Sequence, residues 1–146
     1  MRWYHAMGVL MVTGIGSPSN AQLLSSCALT LSVGGKLAMS GDGRTMGTEV
    51  PGGLGATLLM VGVNLVPEVF FTAQNVTGPT GWSATPTMSL AVSALSGAQQ
   101  PYTSSNFAIR PGALIDTLTV HAKIDSPTGF KAGSYQASTQ VTCQAA

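Results

Sequence analysis

The chain has 146 residues and a formal net charge of +1, and charged side chains make up 8% of it, against about 25% in ordinary soluble domains. Six basic residues with no basic stripe argue against a phosphate-backbone partner, so no nucleic-acid role is expected. The polar surface must come from Ser, Thr, Gln, Asn and Gly, which repels itself weakly and suits self-association, packing on other surface proteins, or resting on a neutral polysaccharide.

The first element reads as export machinery. Met1-Arg2-Trp3-Tyr4-His5 carries one firm positive charge, and Ala6 to Gly16 is an uncharged, mostly apolar run. Ser17-Pro18-Ser19-Asn20-Ala21 then breaks the run and places small residues at Ser19 and Ala21, ahead of a cut before Gln22. This is the three-part layout of a secretory leader. It predicts a cleavable signal peptide over residues 1–21, a single domain over residues 22–146, and a secreted, periplasmic or cell-surface location. The apolar run falls short of the roughly 20 residues a spanning helix needs, so no transmembrane span is expected in the mature chain. The competing readings are a buried first helix or strand, and a lipobox at Leu24-Ser25-Ser26-Cys27 in which Cys27 is lipidated. The lipobox is disfavoured because a polar stretch separates it from the apolar run.

Past Gln22 the dominant period is two. Cys27, Leu29, Leu31 and Val33 fall on one face of a strand, and Met88, Leu90, Val92 and Ala94 on one face of another. Leu118, Val120, Ala122 and Ile124 repeat the pattern, as do Tyr135, Ala137, Thr139, Val141 and Cys143. Such alternation predicts half-buried antiparallel strands. Leu54 to Val66 and Glu68 to Gln74 read as central strands covered on both sides. Turn signals recur at Gly34-Gly35, Gly41-Asp42-Gly43, Pro51-Gly52-Gly53, Gly78-Pro79, Pro111-Gly112 and Pro127-Thr128-Gly129. No segment sustains a helical period. The expected fold is all-β, an antiparallel sandwich of about seven to nine strands. A membrane β-barrel shares the alternation, but it would want longer strands, aromatic girdles and an aromatic carboxyl end.

Cys27 and Cys143 land on the inward faces of the first and last strands, where a single disulfide would join neighbouring extended segments. The alternative is two buried free thiols. A bridge enclosing so long a loop stabilises by about 4–5 kcal/mol on the chain-entropy picture, and it belongs to oxidising compartments.

Candidate chemistry is sparse. His121 is the one histidine beyond the leader. A Ser-His-Asp arrangement would pair it with Asp116, which alternation puts on the opposite face, or Asp125, about 13 Å along the strand. His121 instead joins a polar row, Thr117, Thr119, His121, Lys123 and Asp125, expected to face water. One histidine and no free cysteine make a zinc site a poor fit, and no motif calls for a cofactor. Gly41-Asp42-Gly43 reads as a hairpin turn and not a calcium loop. Trp82, Tyr102 and Phe107 lie in turn-flanked stretches, where an exposed ring would stack on a sugar; the competing reading has these rings plugging the ends of the sandwich.

The tail Ala132 to Cys143, with Gly133-Ser134-Tyr135 followed by interleaved Thr139, Val141 and Thr142, resembles the closing strand of secreted bacterial pilin-like domains, namely the spore coat protein U type and chaperone–usher fimbrial subunits. Cys27-Ala28-Leu29-Thr30-Leu31 resembles their first strand. The resemblance implies an immunoglobulin-like sandwich with a structural or adhesive role at a bacterial surface, assembled by strand exchange. Two departures stand out: those families bridge cysteines within the amino-terminal half, and Gln22 to Ser26 is too short to act as a donated strand. The expectation is a non-catalytic surface subunit. The alternatives are a secreted carbohydrate-binding module and a small secreted hydrolase using His121.

Overall fold

The computed structural model describes residues 7–16 and 26–145, and these build an all-β sandwich with no helix. The strands are β1 (Met7–Gly16), β2 (Ser26–Val33), β3 (Gly35–Met39), β4 (Thr45–Gly47), β5 (Ala56–Val63) and β6 (Pro67–Thr77), followed by β7 (Thr87–Ala94), β8 (Gln99–Thr103), β9 (Phe107–Ile109), β10 (Ile115–Asp125) and β11 (Ser134–Ala145). Eleven described strands exceed the seven to nine expected, because β3, β4, β8 and β9 are pieces of three to five residues.

One sheet runs β3-β1-β11-β6-β9. The other centres on β10, which pairs with β7 along one side and with β5 and β4 along the other; β2 flanks β5 and β8 flanks β7. β3 belongs to both, its first half pairing with β1 and its second half with β4. All pairings are antiparallel except β1 with β11, which is parallel over ten positions from Met7–Ser134 to Gly16–Cys143.

The alternation in the sequence fixes the core. Met88, Leu90, Val92 and Ala94 of β7 point inward with Leu118, Val120, Ala122 and Ile124 of β10, facing Tyr135, Ala137, Val141 and Cys143 of β11. Polar Thr139 is on the same inward face, and its hydroxyl donates to the Thr72 carbonyl at 2.8 Å. That bond sits at a β-bulge between β11 and β6, where Ala73 takes a positive φ of 52°. A bulge adds a residue and turns the strand, and beyond it β6 loses its buried positions.

Two expectations need correcting. Two-sided cover is not what β5 and β6 have: β5 alternates, leaving Leu59 at 36% and Val63 at 45% exposure, because the sandwich has two layers and none of the described residues lies outside them. On β2 only Cys27 is buried, while Leu31 and Val33 stand 43% and 44% exposed. β2 is an edge strand whose register to β5 slips between Leu31 and Val33, so its second half leaves the core.

Cys27 and Cys143 form a disulfide with Cα atoms 5.8 Å apart, which leaves no free cysteine among the described residues and no free sulfur at Cys27. The joined strands are not neighbours in one sheet. β2 hydrogen-bonds to β5 and β11 to β1 and β6, so the bridge ties one layer to the other. A disulfide is a feature of oxidising compartments. Among the described residues no helix is long and apolar enough to cross a membrane. The cut expected before Gln22 falls outside the described residues, while residues 7–16 of the expected leader form β1 in the full chain.

Candidate functional site

The outer face of the β10 sheet brings together Glu49, Tyr102, His121 and Lys123. β10 presents His121 and Lys123 outward, beside Ala91 and Ser89 of β7 in register. β4 pairs with the end of β10, and Thr48 extends that ladder by donating its N–H to the Ala122 carbonyl at 3.0 Å. Glu49 follows and turns outward, ahead of the Pro51-Gly52 turn. From the far side, Tyr102 on β8 reaches across β7, and its phenol donates to Glu49 Oε2 at 2.5 Å.

Beneath this latch, His121 Nδ1 lies 3.1 Å from the Thr48 hydroxyl and Nε2 lies 3.9 Å from Glu49 Oε1. The Lys123 ammonium sits 5.0 Å from the centre of the Tyr102 ring, a cation–π arrangement. Burial, the hydrogen bond to Glu49 and the charge of Glu49 together push the Tyr102 phenol well above the usual tyrosine range. Gly55 makes room for the imidazole: a Cβ there would stand 2.9 Å from His121 Cε1, closer than real contacts allow. His121 is therefore half-buried, with 26% of its side chain exposed, and does not simply face water as its polar row suggests.

The Tyr102–Glu49 bond divides two clefts. One, of about 360 Å³, is lined by Glu49, Ser93, Gln99, Gln100, Tyr102 and His121, with apolar Ala91, Val92 and Pro101 between them. The other, of about 190 Å³, is lined by Thr45, Val50, Tyr102 and Lys123 among others.

The three aromatic residues singled out from the sequence sit in different surroundings. Trp82 stacks on Phe130 with centroids 5.8 Å apart, meets Tyr135 edge-on at 4.9 Å, and donates its indole N–H to the Gly129 carbonyl at 3.3 Å. Phe107 stacks on Phe71 at 4.8 Å. Both rings pack against the core. Tyr102 lines the two clefts beside the Glu49 latch, while Trp82 lines a separate open cleft of about 310 Å³ with Ser83, Phe130 and Lys131.

The carboxylates that the sequence offers to His121 are engaged elsewhere. Asp116 is buried and accepts from the Ser96 hydroxyl, from Ser96 N–H at 3.2 Å and from Thr117 N–H at 2.9 Å. Asp125 accepts from the Thr45 hydroxyl at 2.9 Å. Glu49 takes their place beside His121. The hydroxyl on the other ring nitrogen, Thr48, is 3% exposed and accepts the Ala122 N–H at 3.1 Å, so it has no path to an external substrate. Among the described residues no group of three or more His, Cys, Asp or Glu could hold a metal. No protein-family model and no curated protein matches the chain.

Proposed function

We propose that the chain is an exported, non-catalytic structural or adhesive subunit of a bacterial surface, pilin-like in the sense that another chain completes its sandwich. The observation that carries this reading is the strand slot between β3 and β11. In the full chain β1 occupies it, parallel to β11 and antiparallel to β3 through Gly8–Leu37, Val9–Lys36 and Leu10–Gly35. Leu10 and Val12 of β1 are 1% and 6% exposed. The slot is shaped for such a residue, since a Cβ on Gly35 would stand 2.6 Å from the Leu10 Cβ.

Residues 7–16 are also the apolar run of the expected leader. Once residues 1–21 are removed, β11 and β3 each keep one row of unpaired backbone groups, above an apolar floor that includes Leu37, Ala137 and Val141. Open strand edges of this kind pair with extended segments of other chains, the backbone supplying affinity and alternate side chains filling pockets. Burying two aliphatic side chains contributes roughly 1.5–3 kcal/mol each.

The test compares the full chain with residues 22–146 in the oxidised state. The shorter protein should be less stable and should multimerise, and a synthetic peptide of residues 7–16 should bind it one to one and restore the melting temperature. A shorter protein that stays monomeric, melts with the full chain and ignores the peptide rules the reading out.

A further inference from the structure

The outer cluster carries a binding site of its own. Thr48 Oγ1 accepts the Ala122 N–H at 3.1 Å and has a single proton to give, either to His121 Nδ1 at 3.1 Å or to the Ala122 carbonyl at 3.4 Å. Giving it to Nδ1, the shorter contact, is the tautomer this site requires. A neutral imidazole accepting at Nδ1 must carry its own proton on Nε2, and that N–H then faces Glu49 Oε1 across 3.9 Å. This gap is too wide for a direct hydrogen bond.

A donor and an acceptor at that spacing are bridged by one hydroxyl about 2.8 Å from each, accepting from nitrogen and donating to the carboxylate. Glu49 is held ready for it, because its other oxygen is fixed by the Tyr102 phenol at 2.5 Å. A group that donates and accepts at one atom is what each alcohol of a sugar ring offers. The rest of the 360 Å³ cleft supplies Ser93, Gln99 and Gln100, which are uncharged and hydrogen-bonding, an aromatic wall in Tyr102, and an apolar floor of Ala91, Val92 and Pro101 suited to the C–H face of a sugar ring. The carboxylate disfavours an anionic ligand, whose charge it would repel.

We infer that this cleft binds a neutral sugar unit of a polysaccharide, one ring hydroxyl bridging His121 Nε2 and Glu49 Oε1. Tyr102 is the member of the site that the sequence points to; Trp82 and Phe107 take no part. The cleft lies on the opposite sheet from the strand slot, so the two readings stand or fall separately.

The test titrates the full-length oxidised chain with maltohexaose, cellohexaose, xylohexaose and mannohexaose, and with hexagalacturonate as the anionic comparator, by calorimetry and saturation-transfer NMR. At least one neutral oligomer should bind with a Kd of about 1 mM or tighter. Glu49→Gln should weaken it about tenfold by removing the charge-assisted bond. Glu49 is 57% exposed on its side chain, so this variant should fold, and an unchanged melting temperature checks it. Asp125→Asn, outside the cleft, should bind as the parent does. The inference is overturned if no neutral oligomer binds at about 10 mM, if Glu49→Gln binds equally well, or if hexagalacturonate binds as tightly as the best neutral oligomer.

Discussion

At the scale of single residues, the Tyr102–Glu49 bond makes stability depend on pH in a known direction. Burial and the neighbouring carboxylate raise the Tyr102 phenol above its unfolded value, which is about 10. A group raised in the folded state contributes stability that is complete below its unfolded pKa and is lost as pH climbs toward the folded one. The parent should therefore lose stability more steeply above about pH 10 than Tyr102→Phe, which keeps the ring and has no phenol to ionise. Tyr135, also raised by burial, is common to both proteins and cancels in the comparison. Urea midpoints taken from neutral to alkaline pH measure the difference, and parallel curves would mean that the phenol is not held as described. Asp116 offers a second residue-scale prediction. Its carboxylate closes the turn between β7 and β8 through Ser96 and sets the start of β10 through Thr117. Asp116→Ala strips the partner from two backbone N–H groups and a hydroxyl, and should cost about 2–4 kcal/mol in urea unfolding. Asp125→Asn, at a half-exposed position, should cost less than about 1 kcal/mol.

At the scale of elements, the covalent tie between β2 and β11 stands out because the rest of β2 contributes little. Leu31 and Val33 are exposed, the register slips, and Cys27 is the one buried residue of that strand. The bridge closes a separation of 116 residues, for which the chain-entropy picture gives about 4–5 kcal/mol. Reduction, or Cys27→Ser with Cys143→Ser, should lower the melting temperature substantially, and hydrogen exchange should rise first along β2 and its partner β5. Uniform exchange in the reduced protein would show that β2 is held by the sheet and not by the bridge. The same contrast explains what was legible in the sequence. β7, β10 and β11 were plain because eight to twelve residues of strict alternation leave one register open. β2 carries the same alternation, yet an edge position lets its second half leave the core, and no local pattern announces that. Strands of three residues such as β4 and β9 are too short to alternate at all. The candidate site was half visible for a related reason. Tyr102 and His121 drew notice as residue types, but the Thr48 hydroxyl that sets the imidazole lies 73 positions away, joined to it only by the pairing of β4 with β10.

At the scale of the whole molecule, the scarcity of charge decides how assembly should respond to salt. Six basic and five acidic side chains are spread over the full chain. Two of the ion pairs, Arg110 with Glu68 at 3.8 Å and Lys123 with Asp125 at 4.0 Å, lie at the limit of contact between partly exposed side chains. Pairs of this kind contribute about 0–1 kcal/mol. The β10 sheet leaves apolar side chains in the open: Ile115 is 65% exposed and pairs with Val61, while Leu95, bonded through its N–H to the Thr117 carbonyl, is 84% exposed. Contacts formed by strand pairing and apolar burial are indifferent to a screening length that shrinks from about 10 Å at 0.1 M salt to about 3 Å at 1 M. Multimers of residues 22–146 should therefore keep their sedimentation profile across that range of sodium chloride, and sulfate should strengthen them by favouring burial. Dissociation at high salt would mean that charge holds the copies together, and the strand slot would then not be the joint.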